Sequence, residues 1–157
     1  MLTIRPAIAE DVPGMAALRS QSRGTPEFWR ERVSGYLGGE RSPRFALEAR
    51  AAFVAFEQHT LVGFVAGHLS ARYSCDGELQ WIDVDHEHRR RGIAGTLLRT
   101  MAKWFEGRRA LRICVNVAPD NIPARALYSR FGASALGTNW MVWQDITDIA
   151  RLADGTG

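Results

Sequence analysis

The spacing of apolar positions changes along the chain and predicts a succession of strands and helices. Residues 2–5 alternate apolar and polar side chains, as a half-buried strand does. A helix is predicted from the N-cap Asp11, with Pro13 in its first turn, to about residue 20. A second helix opens at residues 25–27 and ends at the glycine pair 38–39.

The middle of the chain has the composition of strands. Residues 52–56 and 61–66 are rich in β-branched and aromatic side chains, and a short polar segment separates them, which predicts a hairpin. A third run, residues 78–84, follows an Asp-Gly turn and alternates in part. From residue 91 to residue 106 the apolar side chains recur at helical spacing, so this segment is predicted to be an amphipathic helix.

The last third of the chain changes period again. Residues 111–115 are predicted as a buried strand, residues 121–131 as a short helix and residues 140–143 as a final strand. The order β-α-α-β-β-β-α-β-α-β indicates an α/β fold of the α+β kind, with a mixed sheet and helices on both of its faces. Because 157 residues suffice for one core, we expect a single domain over residues 1–150 and a loose C-terminal tail at 151–157.

Composition and charge exclude several classes of protein. The 46% hydrophobic and 24% charged content is that of a folded globular protein. Twenty basic side chains against 17 acidic ones leave a net charge of only +3, which argues against nucleic-acid binding. The longest apolar stretch, residues 61–67, is too short to cross a membrane, and no secretory signal opens the sequence, so a cytoplasmic location is expected. Cys75 and Cys114 lack metal-ligand spacing, and no metal is expected.

The segment with the clearest chemistry is residues 84–95, where a strand ends, a basic loop follows and a helix begins. The first N–H groups of a helix have no intrahelical partner and carry partial positive charge. Small residues at Gly92, Ala94 and Gly95 allow an anion to approach them, and three arginines add charge, which predicts a phosphate or pyrophosphate site. Neither a P-loop nor a Gly-x-Gly-x-x-Gly motif is present. A basic loop that merely caps an ordinary helix is the alternative.

Residues 89–94, Arg-Arg-Arg-Gly-Ile-Ala, resemble the Gln/Arg-x-x-Gly-x-Gly/Ala acetyl-CoA motif of the GNAT superfamily of N-acetyltransferases. The resemblance extends to residues 4–13, to the hairpin, and to residues 121–133, which are similar to the family's Asn-x-x-Ala-x-x-x-Tyr helix. It therefore covers nearly the whole chain. The sequence departs from the family pattern in the basic loop, at His86, His88 and Arg90.

The resemblance implies a twisted, mostly antiparallel sheet that splays between strands 4 and 5, where the pantetheine arm of acetyl-CoA pairs with strand backbone. The pyrophosphate is then expected on the amides of the basic loop. Tyr128 matches the residue beside the thioester sulfur, and we expect it to donate a proton or a hydrogen bond to the departing thiolate. The implied cofactor-binding residues are Ile82, Val84, Arg89, Arg90, Arg91, Gly92, Ala94, Gly95 and Asn121.

A base must accept the proton of the attacking amine, whose pKa in solution is about 10. Glu78 is the first candidate, because it lies eleven residues before Arg89, as the glutamate of histone-acetyltransferase-type members does. It also shares the strand parity of the two positions expected to pair with the cofactor. The alternative for Glu78 is an exposed carboxylate, or one that binds a positive charge of the substrate. The weaker candidates are Asp83, which has the opposite parity, His86 and His88.

The expected function is acetyl transfer from acetyl-CoA to a primary amine of a small molecule or peptide, by direct attack in a ternary complex. The identity of the acceptor and the formation of a homodimer are left open. A second hypothesis is a non-catalytic module that binds or senses acyl-CoA. A third, nucleic-acid binding through residues 89–91 and 108–109, is disfavoured by the modest net charge. Neither a nucleic acid nor a membrane is therefore expected as a partner.

Overall fold

The structure, a computed structural model, describes the backbone of residues 1–156 and the side chains of residues 1–152. None of its helices is long and apolar enough to cross a membrane within this described part. The helices are α1 (Val12–Ser20), α2 (Pro26–Gly38), α3 (Ile93–Gly107), α4 (Ile122–Arg130) and α5 (Asp148–Thr156). The strands are β1 (Leu2–Pro6), β2 (Ala46–Glu57), β3 (Thr60–Ser70), β4 (Gly77–Val84), β5 (Ile113–Asn116), β6 (Ser134–Ala135) and β7 (Trp140–Trp143).

The strands form one mixed sheet in the order β1-β2-β3-β4-β5-β7-β6. All neighbours are antiparallel except β4 and β5, which run parallel. Those two strands pair only from Gly77 to Leu79 on the β4 side, so residues 80–84 of β4 have no partner on β5. The predicted α/β fold is confirmed, and the sheet opens between β4 and β5.

Helices cover both faces of this sheet, as predicted. On one face, buried side chains of α1 and α2 such as Met15, Val33 and Tyr36 pack against Val54 and Phe64 of the central strands. The opposite face carries α3, which buries a stripe of apolar side chains at helical spacing together with the end of α4 and the start of α5. That stripe consists of Ile93, Leu97, Leu98, Met101 and Phe105.

Three features of the fold differ from the predicted elements. The strand β2 begins at Ala46, six residues before the predicted run 52–56, because this first part pairs with β3 beyond the end of β1. The strand β6 and the helix α5 were not predicted, since each is short. The segment predicted as a loose tail, 151–157, continues the backbone of α5 to Thr156, and its side chains after Leu152 lie outside the described residues.

Candidate active site

A β-bulge at Gln80 decides which side chains of β4 face which layer of helices. Ala66 of β3 pairs with Trp81, whereas the next residue, Gly67, pairs with Leu79, so Gln80 has no opposite residue. Strict alternation would put Leu79 and Trp81 on the same face. Because of the bulge, Leu79 joins the core under α3 and Trp81 packs against the core under α1 and α2.

This bulge corrects the parity predicted for Glu78. Glu78 lies opposite His68 in the register, on the face covered by α2, and Asp83 lies opposite Phe64 on the same face. Ile82 and Val84 face the α3 layer instead. The expectation that Glu78 shares a face with those two residues is wrong, because the extra residue shifts the alternation by one. Asp83 lies on the face opposite to theirs, as expected.

Asp83 lies in the open part of β4 and forms a partly buried ion pair with Arg19 of α1. Arg19 Nη1 lies 3.1 Å from Asp83 Oδ2. The same guanidinium stands over the rings of Trp29 and Trp81, at 4.4 and 5.7 Å from their centroids. Burial raises the pKa of Asp83, while the positive charges of Arg19 and Arg89 oppose that rise. The carboxylate is therefore held in place by Arg19 and is more basic than an exposed one.

Tyr128 of α4 belongs to the core on the α3 face and is close enough to Asp83 to feel its charge. Its ring is buried edge-on against Trp143, with centroids 5.6 Å apart. Burial raises the pKa of Tyr128, and the negative charge of Asp83 raises it further. The hydroxyl forms no hydrogen bond with any residue whose side chain is described. The hydroxyl is thus a protonated donor with no acceptor among these residues, and the negative charge of Asp83 disfavours its ionisation.

The predicted anion loop, residues 85–92 between β4 and α3, contains two residues with left-handed backbone. Arg90 and Gly92 both have left-handed conformations, with φ of 67° and 79°. A Cβ atom built on Gly92 meets nothing within 4 Å, so the space in front of this residue is open. Thr96 is bonded through its N–H to the carbonyl of Gly92, which leaves the first-turn amides at residues 93–95 without intrahelical partners.

Hydrogen bonds tie the start of this loop to α1 and β2. Asp85 accepts from Gln21 Nε2 at 2.7 Å and lies 2.7 Å from His88 Nδ1. Glu57 of β2 lies 3.5 Å from His88 Nε2 and 3.3 Å from Arg91 Nη1. His88 therefore positions the loop, while His86 is exposed and contributes its backbone N–H to Gln21.

The remaining predicted cofactor residues have structural roles as well. Arg89 is exposed and places Nε 3.4 Å from the carbonyl of Val84, next to the open strand edge. Ala94 is half-buried in the first turn of α3. Gly95 is buried, and a Cβ there would lie 3.0 Å from the ring of Phe131, so its small size serves helix packing. Asn121 caps α4 by accepting from Ala124 N at 3.3 Å.

Glu78 belongs to a second polar group on the same face as Asp83. Its Oε1 accepts from Arg72 Nε at 3.0 Å and lies 3.7 Å from Nε2 of the fully buried His68. His68 Nδ1 in turn lies 2.9 Å from the hydroxyl of Tyr36 on α2. The sequence predicts His68 to be a hydrogen-bonded sheet residue, as it is. It does not point to Tyr36, Arg72 or Arg19, because nothing in the local pattern links these positions to β4. Among the described residues, no group of His, Cys, Asp and Glu side chains could hold a metal ion.

Comparison with known proteins finds acetyltransferases that are similar in sequence or in fold. Streptothricin acetyltransferase of Escherichia coli is 29% identical over 97 residues, which are 62% of this chain and 55% of that protein. The chain thus spans about half the length of the curated relative that it matches. Two solved structures share the fold. One is the PaiA N-acetyltransferase of Thermoplasma acidophilum in complex with coenzyme A (TM-score 0.70, 16% identity, 92% of this chain and 99% of that one). The other is a ribosomal-protein-alanine N-acetyltransferase of Brucella melitensis (TM-score 0.66, 23% identity, 86% and 93%).

A family comparison covers most of the domain. Residues 16–133 match the model described as the acetyltransferase (GNAT) family. The matched segment runs from within α1 to Ala133, three residues after α4, and so includes the bulged strand, the anion loop and Tyr128. On the resemblance in sequence, the opened sheet and this match, the chain belongs to the GNAT family of acetyltransferases.

Proposed function

We propose that the protein transfers the acetyl group of acetyl-CoA to a primary amine of a small molecule or peptide, by direct attack in a ternary complex. The observation that carries this proposal is the opening between β4 and β5, which has an anion loop at one end and the Tyr128 hydroxyl beside it. The acetyltransferase names of the relatives, one of them in complex with coenzyme A, support the proposal.

The residues at the opening fit coenzyme A. The free first-turn amides of α3, the open space at Gly92 and the exposed Arg89 and Arg90 provide donors and positive charge for a diphosphate. The unpaired edge of β4 at Ile82 and Val84 offers backbone groups to the amides of a pantetheine arm. Bound there, the coenzyme would supply its acetyl group as a thioester.

Proton transfer is assigned to groups on both sides of the opening. The raised pKa of Tyr128 keeps its hydroxyl protonated, so it can donate to a departing thiolate sulfur. For the base we propose Asp83, because it adjoins both Ile82 and Val84 on the strand, and its charge acts on Tyr128. Glu78, the base predicted from the motif, stays the second candidate. An arginine pairs with each carboxylate, but Glu78 lies in the part of β4 that pairs with β5, outside the opening.

The test is a free-thiol release assay with acetyl-CoA and a panel of amines, polyamines, amino acids and peptide N-termini. We expect Tyr128→Phe to lower kcat by about tenfold to a hundredfold, the value of one hydrogen bond to a charged group, while coenzyme A affinity is retained. Asp83→Asn should lower kcat more than the matched variant Glu78→Gln. If coenzyme A binds but no amine releases thiol, the non-catalytic acyl-CoA module replaces this proposal.

A further inference from the structure

The carboxylate of Glu78 is a buried anion that the protein neutralises with a side chain from a loop. Glu78 is only 4% exposed. Its partner Arg72 lies in the short connection between β3 and β4, with Nε 3.0 Å from Glu78 Oε1. The second neighbour, His68 Nε2, is buried and has no hydrogen-bond partner among the described residues. This corner of the fold therefore contains a buried polar atom, His68 Nε2, that the described residues leave without a hydrogen bond.

The guanidinium of Arg72 is surrounded by three aromatic rings. Its carbon lies 4.6 Å from the ring centroid of Trp140, 5.3 Å from that of Phe45 and 5.9 Å from that of Tyr73. A carboxylate combined with several aromatic faces is the arrangement by which proteins bind organic cations. We call these three rings with Glu78 the cation box. In the structure an internal cation, Arg72, fills it.

Two of the three walls of the cation box, Phe45 and Tyr73, are exposed and stand on strained backbone. Phe45 and Tyr73 are each 51% exposed, so the box opens to solvent. Phe45, Tyr73 and Ser74 have φ of 67°, 52° and 58°, which is unusual for residues other than glycine. Arg72 also donates from Nη2 to the carbonyl of Arg44 at 3.0 Å and so links both wall segments. Without that link, both segments could relax and admit another cation.

The cation box lies on the acceptor side of the proposed reaction centre. Because of the bulge, Glu78 and Asp83 face the same layer, with Glu78 earlier on the strand. At about 3.3 Å per residue, their backbones are roughly 15 Å apart. A group bound to Glu78 is therefore too far away to be the amine that reacts beside Asp83 and Tyr128. It can belong to the same acceptor if that acceptor is long and doubly charged.

We infer that the cation box binds the second positive group of a polyamine-like acceptor, and that Arg72 occupies it until the acceptor displaces this side chain. The inference rests on the proposed acetyl transfer and assigns Glu78 to substrate recognition. Arg72 is then a competitor of the acceptor, which makes it a specificity-determining residue.

The first experiment needs no turnover. Arg72→Ala empties the cation box, and ethylguanidinium chloride is titrated into the variant while tryptophan fluorescence is recorded, since Trp140 forms one wall. We expect saturable binding that is at least tenfold tighter than in the unaltered protein, where Arg72 competes, and its loss when Glu78→Gln is added. Arg44→Ala is the matched control, because its guanidinium also stacks on Phe45, at 5.1 Å, but it does not contact Glu78.

The second experiment compares kcat/KM for spermidine and for the singly charged hexylamine in the unaltered protein. We expect a preference for spermidine of at least about tenfold, and its reduction in Glu78→Gln. If the ratio of kcat/KM for spermidine to that for hexylamine is near one, the inference is overturned, even where Arg72→Ala does not fold. If Arg72→Ala folds but does not bind ethylguanidinium, the inference is overturned as well. If neither these amines nor the wider panel releases thiol, the proposed acetyl transfer is overturned instead. Ethylguanidinium binding does not depend on acetyl transfer, so the two failures can be told apart.

Discussion

Gly92 starts α3 with φ of 79°, and the space in front of it is open. Replacing it with alanine adds a methyl group that meets no protein atom, so the only cost to the folded protein is the left-handed backbone. That conformation costs an L-residue about 1–2 kcal/mol. For a domain of this size, each kcal/mol corresponds to about 2–4 °C in Tm, so we expect Gly92→Ala to lower Tm by a few degrees.

Gly39 provides a matched control for this change. It ends α2 with φ of 84°, and a Cβ there also meets nothing within 4 Å, but it is remote from the anion loop. Gly39→Ala should therefore lower Tm by the same few degrees. The two variants add the same methyl group on the same kind of backbone, and they differ only in which part of the surface receives it. Under the proposed function, the added methyl at position 92 enters the diphosphate site, and the one at position 39 does not.

Thermal denaturation with and without coenzyme A separates the two effects. A ligand at a hundred times its Kd stabilises the protein by about 2.7 kcal/mol, or roughly 5–11 °C here. We expect this gain to be intact in Gly39→Ala, reduced in Gly92→Ala and absent in Gly92→Glu, which adds a negative charge to the site. If Gly92→Glu gains as much from coenzyme A as the unaltered protein does, the anion site lies elsewhere.

Two further predictions concern residues that hold the frame of the site. Asp11 accepts from both Nη atoms of Arg5, at 2.8 and 2.9 Å, and these bonds lower the pKa of its carboxyl. The stability that this carboxylate provides is present above about pH 4 and is lost as the pH falls further. The Tm difference between Asp11→Asn and the unaltered protein should therefore shrink between pH 7 and pH 3. A difference that stays constant would contradict the lowered pKa of Asp11. Asn121→Ala removes the cap of α4 and should cost about 1 kcal/mol, measured by urea denaturation. An unchanged coenzyme A affinity in this variant would leave Asn121 with a structural role only.

The opening between β4 and β5 could be expected from the sequence only through family resemblance, whereas the anion loop could be predicted locally. Its glycine, its arginines and the helix that follows are contiguous, and the left-handed turn at Gly92 depends on that one residue. The apolar stripe of α3 was similarly readable, because helical periodicity is a property of neighbouring positions. Local sequence thus suffices to predict an anion site at this loop.

Tertiary pairing decided which side chains of β4 share a face of the sheet. Leu79, Trp81 and Asp83 alternate regularly in the sequence, and only the register between β3 and β4 shows that Gln80 bulges and reverses the faces. The ion pair of Arg19 with Asp83 joins positions 64 residues apart. No local pattern specifies such contacts, because they form only when α1 packs on the sheet. The sequence by itself determined the order of the main elements and the places of the basic loop and Tyr128 along it, whereas the folded sheet decided which carboxylates share a face and what neutralises them.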